Sequence, residues 1–394
     1  MTEQKKSDSK TSEGIGGGSL REALRIPLLA VLTGLILGAI AIMISGSNVF
    51  VAYGALFTGS FGNPELYING FQQFFSNGDA TTLLRAIRPI TESLVTATPY
   101  IFAGLAVAIG FRCGLFNIGA EGQFFIGALC SAYIGYSIKG LPAFIHLPLA
   151  LLAGAAGGAI WGFIPGYLKA RFGAHEVVNT IMMNWISFRL SDWLLTGPMQ
   201  ASGFRPVTPN VETTAELPRF FPDPIRLNLG IILALITAYG IYWFLFKTTL
   251  GFEIRSVGAN PDAAKYAGMN IVRNFVLAMV LSGGLAGLAG SAQVLGVDHW
   301  VGQGFSAGYG YDAIAIALLG KSHPAGVVLA ALLFGFLRSG ATNMQSIARV
   351  PIDIISIIQG LVIIFIAAPE IVRRVYRLKG VKLDTTAVTR GWGS

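Results

Sequence analysis

The chain has 394 residues, 53% of them hydrophobic and only 12% charged, with a mean hydropathy of +0.62. So little polar surface cannot clothe a soluble globule of this length, and the composition puts most of the chain in lipid. The net charge of +8 does not point to nucleic acid, because the basic residues collect beside apolar stretches and not in a patch interleaved with aromatics.

In chain order, residues 1–25 are rich in Lys, Ser and Gly and read as a basic, disordered cytoplasmic tail. The apolar run that follows, 26–45, exceeds a signal-peptide core and reads as a retained anchor. Further apolar stretches lie near 90–111, 113–136, 146–168, 177–196, 228–246, 274–296, 310–319, 325–343 and 352–368. Together they predict an all-α integral-membrane domain over 26–372 with about ten crossings, the eighth too short to span as a straight helix. Residues 373–394 read as a second cytoplasmic tail. The basic residues Lys5, Lys6, Lys10, Arg21 and Arg25, then Lys247, Arg255, Lys265 and Arg273, then Arg373, Arg374, Arg377, Lys379 and Lys382 fall on one side if the count is even, which puts both termini in the cytoplasm. Two longer connections, 46–89 and 197–227, are then external. The six prolines of the second, from Pro198 to Pro224, exclude a long helix there. Cys113 and Cys130, both in or beside one apolar stretch, read as packing residues and not as a disulfide framework.

The third apolar stretch contains Phe116-Asn117-Ile118-Gly119-Ala120-Glu121-Gly122-Gln123. An ionised carboxylate at mid-bilayer costs roughly 3 kcal/mol even on lenient scales, so this segment must face protein or water. On a continuous helix Asn117 and Glu121 share one face while Gly119 and Gly122 open another to close backbone approach. Two roles remain open for Asn117, Glu121 and Gln123: bordering a translocation path, or tying a broken helix to its neighbours. The run resembles the signature of ABC importer permeases of the nucleoside and simple-sugar branch, relatives of ribose and branched-chain amino acid permeases.

Between the sixth and seventh stretches runs Gly258-Ala259-Asn260-Pro261-Asp262-Ala263-Ala264-Lys265-Tyr266-Ala267-Gly268. Asn260 is a natural N-cap, Pro261 the first helical residue, Asp262 the acid facing the dipole, Lys265 a late-turn cation and Gly268 the terminator. The segment is similar to the coupling helix by which ABC permeases engage an ATPase, and its position resembles the vitamin B12-importer type of permease fold. A third stretch, 302–320, is similar to a Gly-Phe-Asp-containing segment of the same permeases. Its Tyr309 and Tyr311 have rings suited to stack on a planar base, or equally to sit in an interfacial aromatic belt, with Asp312 beside them. Asp298, His299 and Trp300 share that ambiguity. In the fifth stretch Arg189 and Asp192 can neutralise each other, and Asn179 and Asn184 add polarity.

No catalytic constellation is expected. Leu281-Ser282-Gly283-Gly284-Leu285 lies inside an apolar span, and Gly283 and Gly287 read as a packing face. Gly320-Lys321-Ser322 lacks the first glycine of a phosphate-binding loop, since position 315 is Ala. His175-Glu176-Val177-Val178-Asn179 fails the zinc-protease pattern at its last position, and no metal is implied. The resemblance implies a transport subunit of a prokaryotic cell membrane, without a cofactor or ATPase site of its own. It implies an ATPase partner that uses ATP, a second, related permease, an external substrate-binding protein or lipoprotein, and nucleosides as cargo with simple sugars as the alternative. A self-sufficient channel or secondary transporter is the reading from another class, because broken glycine-rich helices around an acid also describe those.

Overall fold

The computed structural model describes residues 18–203, 205–306 and 308–377; the expected tails lie outside the described residues up to 17 and from 378 onward. Fifteen α-helices follow one another among the described residues: α1 (Gly18–Ile44), α2 (Val49–Phe61), α3 (Pro64–Asn77), α4 (Thr81–Arg112), α5 (Ala120–Ser137), α6 (Ala143–Phe172), α7 (Glu176–Leu195), α8 (Gly230–Lys247), α9 (Thr249–Ala259), α10 (Pro261–Tyr266), α11 (Ile271–Gln293), α12 (Tyr309–Leu319), α13 (Pro324–Ala348), α14 (Ile352–Ala367) and α15 (Pro369–Val375). No strand occurs among the described residues, only isolated bridges at Val207–Gly302 and Arg219–Asn228.

The chain forms two compact units. One pairs α1 with α14 and α15: Gly34 lets the backbone of Val362 approach, an added Cβ standing 2.8 Å from its Cα, and the hydroxyls of Thr33 and Tyr376 meet at 3.0 Å. The other contains α2 to α13, with α4 packed against α3, α8, α11, α12 and α13.

Five helices, α4, α6, α8, α13 and α11 with its extension to Asp298, are long and apolar enough to cross a membrane. They differ in what surrounds them. The most apolar window of α4 is 83% buried by protein, that of α8 only 22%, so α4 is the inner post and α8 presents its side chains outward. Within this unit α5, α6 and α11 meet through glycines: a Cβ on Gly158 would stand 2.8 Å from the Cα of Gly287, and one on Gly127 would strike Gly287 as well. Such backbone-to-backbone contact is the expected use of small residues between membrane helices, and it bears out Gly287 and Gly283 as a packing face.

The connection 46–89 is filled by helices. α3 is fully punctuated: the Asn63 side chain accepts from Glu65 N–H, Pro64 opens the helix, and Gly78 closes it at φ 69°. Among its described residues the proline-rich connection 197–229 contains no α-helix, only a short 3₁₀ turn at Thr213–Ala215. It is laid over the end of α11, whose last turn continues as a π-helix, Val294–Asp298. Backbone bonds from Thr208 N to Val301 O, Val211 N to His299 O and Leu217 N to Leu295 O, each 2.8 to 2.9 Å, fasten it there.

Candidate functional site

α4 does not run on into the third apolar stretch. It stops at Arg112, the chain turns at Gly114 (φ 74°), and α5 begins only at Ala120. Asn117 therefore lies in a loop, and the expectation that it shares a helix face with Glu121 is corrected. The physical reason is local: Asn117 Oδ1 accepts from Gly119 N–H at 2.9 Å, an Asx-type bond that competes with helix formation. From that loop Asn117 Nδ2 donates to Gln123 Oε1 and to Ser282 Oγ, both at 2.8 Å, and the Ser282 hydroxyl donates in turn to the Ala106 carbonyl at 2.6 Å. Asn184 of α7 completes the knot, accepting from Gly122 N–H at 2.8 Å and donating to Ile118 O at 3.0 Å. All these side chains are buried, and the knot ties the loop and α5 to α4, α7 and α11.

Glu121 is 3% exposed and points to another neighbour. One carboxylate oxygen accepts from the Ser306 hydroxyl and the other from Gly310 N–H at 2.6 Å. The carboxylate lies in the first turn of α5 and is bonded by the first turn of α12, so the positive ends of two helix dipoles face it. Gly310 is required by that approach: a Cβ there would stand 2.5 Å from the Cα of Glu121.

The two tyrosines of the third motif separate. Tyr309 is buried, its ring 4.7 Å from Tyr100 and stacked at 5.7 Å on Phe124, whereas Tyr311 is 45% exposed. Asp312 Oδ2 accepts from the Tyr100 hydroxyl at 2.6 Å and pairs with Arg338 at 3.1 Å. Arg338 also donates to Tyr100 Oη at 2.6 Å, and its guanidinium carbon lies 5.0 Å from the Tyr309 ring centre, within cation–π range. A second bridge, from Arg226 in the proline-rich connection to Glu92 on α4, joins Arg226 to both carboxylate oxygens. Tyr100, Arg338, Glu92 and Arg226 were not singled out from the sequence, and Ser282 and Ser306 were read only as members of longer stretches. Arg338 carries a signal, as the charged residue of the otherwise apolar stretch 325–343; the others are joined to their partners only by folding. Arg189 and Asp192 do approach, at 3.8 Å, with the Arg189 side chain largely exposed and that of Asp192 partly so. Among the described residues no group of three His, Cys, Asp or Glu side chains is placed to hold a metal ion.

The cap assignments in the other long motif are borne out. Asn260 Oδ1 accepts from Ala263 N–H at 3.0 Å, Pro261 opens α10, Lys265 lies in its last turn, and Gly268 follows at φ 83°. Gly258 and Ala259 belong to the preceding helix α9, so Asn260 ends one helix and starts the next. Pro261, Asp262, Ala263, Lys265 and Tyr266 are exposed, Tyr266 to 97%, while Ala264 is buried. Gly258 lies against the end of α4, where a Cβ would stand 2.8 Å from the carbonyl carbon of Cys113.

Residues 90–367 match the family model described as the branched-chain amino acid transport system permease component. The guanosine ABC transporter permease protein NupP of Bacillus subtilis is 41% identical over 355 residues, covering 89% of this chain and 94% of that protein. The nucleoside ABC transporter permease protein NupB of Lactococcus lactis is 33% identical over 376 residues, covering 93% and 97%. The glucose ABC transporter permease protein TsgB13 of Haloferax volcanii is 34% identical over 368 residues, covering 91% and 90%. No solved structure matches the chain.

Proposed function

Because the chain belongs to the permease-component family of branched-chain amino acid transport systems, we propose that it is the membrane-spanning subunit of an ATP-driven importer whose cargo is nucleosides. The observation that carries this reading is the likeness to NupP, which runs over nearly the whole of both chains. NupB, with nucleosides in its name, extends it beyond guanosine. A second cargo reading, simple sugars, is favoured by the comparable likeness to TsgB13.

In this reading ten segments cross the membrane in a vitamin B12-importer-like arrangement: α1, α4, α5, α6, α7, α8, α11, α12, α13 and α14, with α12 at 11 residues too short to span alone. Both termini and α10 are cytoplasmic, as the distribution of Lys and Arg favours. α10 engages a separate ATPase, which is where ATP is used. Its fixed caps support this role, because a six-residue helix is marginal alone and transmits force only when braced. The exposed Tyr266 offers the partner a large apolar contact. A second permease completes the pathway, and an external binding protein delivers the cargo to the face that carries the proline-rich connection. Tyr309, Tyr311 and Asp312, with Tyr100 and Arg338, border the pathway, while Asn117, Glu121 and Gln123 hold its wall together.

The test is uptake of radiolabelled guanosine by cells in which this chain has been deleted and restored together with its partner subunits. Restoration that adenosine and uridine compete with, and glucose does not, is the expected result. Competition by glucose alone selects the sugar reading, and uptake that persists when the ATPase is inactivated overturns the importer reading.

A further inference from the structure

Two guanidinium groups converge on one ring at the end of α8. The Cζ of Arg112, the last residue of α4, lies 5.5 Å from the Phe246 ring centre, and that of Arg255, on α9, lies 5.0 Å from it. The His323 ring stands 5.3 Å from the same ring. Among the described residues these cations have only neutral hydrogen-bond partners. Arg112 donates to the carbonyls of Ser322 at 2.8 Å and Lys321 at 3.3 Å, and Arg255 to that of Leu245 at 2.9 Å. No carboxylate among the described residues pairs with either. The carbonyls are themselves held in an unusual backbone: Lys321 and Ser322 are consecutive non-glycine residues at φ 51° and 49°. Burial and the charge of Arg112 hold the His323 imidazole below its ordinary value, which keeps it from adding a third positive charge near pH 7.

Both arginines are only partly buried, open to a counter-charge from outside, and the surroundings indicate its source. α8 is the least enclosed of the apolar helices, and one turn before Phe246 its Trp243 is 55% exposed, with Tyr239 at 70% and Lys247 exposed at the end. Exposed Trp and Tyr beside a terminal lysine mark the level of lipid headgroups. Arginine forks match phosphate oxygens bidentately, and basic clefts between helix ends at this level take anionic headgroups. We propose that Arg112 and Arg255 clamp the phosphate of an anionic phospholipid against the end of α8. The lipid would brace the corner where Gly258 rests on the end of α4, directly before α10.

Native mass spectrometry of the full chain in detergent, titrated with phosphatidylglycerol, phosphatidylcholine or inorganic phosphate, tests this. Wild type should retain phosphatidylglycerol over phosphatidylcholine, and Arg255→Gln, which leaves the Arg112 bonds to 321 and 322 intact, should weaken retention about tenfold. Arg171→Gln, at the exposed end of α6, should leave it unchanged. The double variant Arg112→Gln/Arg255→Gln should lose the preference for phosphatidylglycerol altogether; should it misfold, the single Arg255→Gln protein still decides the matter. Equal retention of phosphatidylcholine, displacement of the lipid by millimolar inorganic phosphate, or undiminished retention in Arg255→Gln each overturns the proposal. So does an Arg255→Gln protein that keeps its lipid and loses only its ATPase in co-purification, since that makes the pair a protein contact.

Discussion

Replacing Glu121 separates the two roles open to the FNIGAEGQ motif. In the wild-type chain its carboxylate accepts from the Ser306 hydroxyl and from Gly310 N–H, and residue 121 is 3% exposed. Glu121→Gln keeps both contacts: the amide oxygen takes the Gly310 N–H, and the amide nitrogen donates to Ser306, whose hydroxyl turns to accept. What is lost is charge assistance, and what is relieved is the burial of an anion, so the net change should stay within about 1 kcal/mol. Glu121→Ala strands two buried donors at about 1–3 kcal/mol each and opens a void between α5 and α12. The expected gap is therefore about 2–6 kcal/mol, read as a fall in melting temperature of roughly 4 °C or more for Ala and little for Gln. Thermal unfolding of the purified, detergent-solubilised protein gives the first readout, and the guanosine-to-uridine uptake ratio in cells gives the second. Glu121→Ala with wild-type melting and an altered uptake ratio would refute the reasoning and make the carboxylate a cargo contact. Glu121→Gln melting as low as Glu121→Ala would refute it differently, by showing that the charge itself holds α5 to α12.

Two further outcomes follow from α10 and from the contact of α9 with α11. Ala263→Pro removes the N–H that Asn260 caps and pushes Asp262 out of helical backbone; uptake should fail while the melting temperature of the purified protein stays near wild type, and normal uptake with normal ATP hydrolysis would end the coupling assignment. Hydrogen bonds from Asn274 and Arg273, with the nearby Arg273 charge, hold the Glu253 carboxyl below its ordinary value. A carboxyl lowered on folding stabilises above its unfolded-state value, and that contribution disappears as the pH falls through the folded-state value. The melting-temperature difference between wild type and Glu253→Gln should thus be full at neutral pH and close below the usual carboxylate range; a difference independent of pH would contradict it.

What was legible in the sequence was local. The caps of α10 could be read because Asn260, Pro261 and Gly268 act on their own neighbours. The equally readable Asn63-Pro64-Glu65 and Gly78 signals of α3 went unused, since 46–89 was read only as a long external connection between apolar runs. Asn117 was misassigned because an apolar run looks continuous through a turn, and only the Gly114 backbone and the Asn117–Gly119 bond interrupt it. Tyr100, Asp312 and Arg338 stand on three helices, the first two 212 positions apart, and nothing in the local pattern announces such a meeting.

The contact of α6 with α11 through Gly158 and Gly287 constrains how this chain can move. A joint made of side chains can be reset by turning rotamers, so two packings of similar energy can coexist across it. Here main chain rests on main chain with nothing between to turn. Any shift of one helix against the other would have to part the two backbones and leave a gap that no side chain of these glycines can fill. α6 and α11 are therefore expected to move together at this contact, with movement easier at joints made of side chains, such as the Asp312–Arg338 bridge between α12 and α13 and the Glu92–Arg226 bridge between α4 and the proline-rich connection.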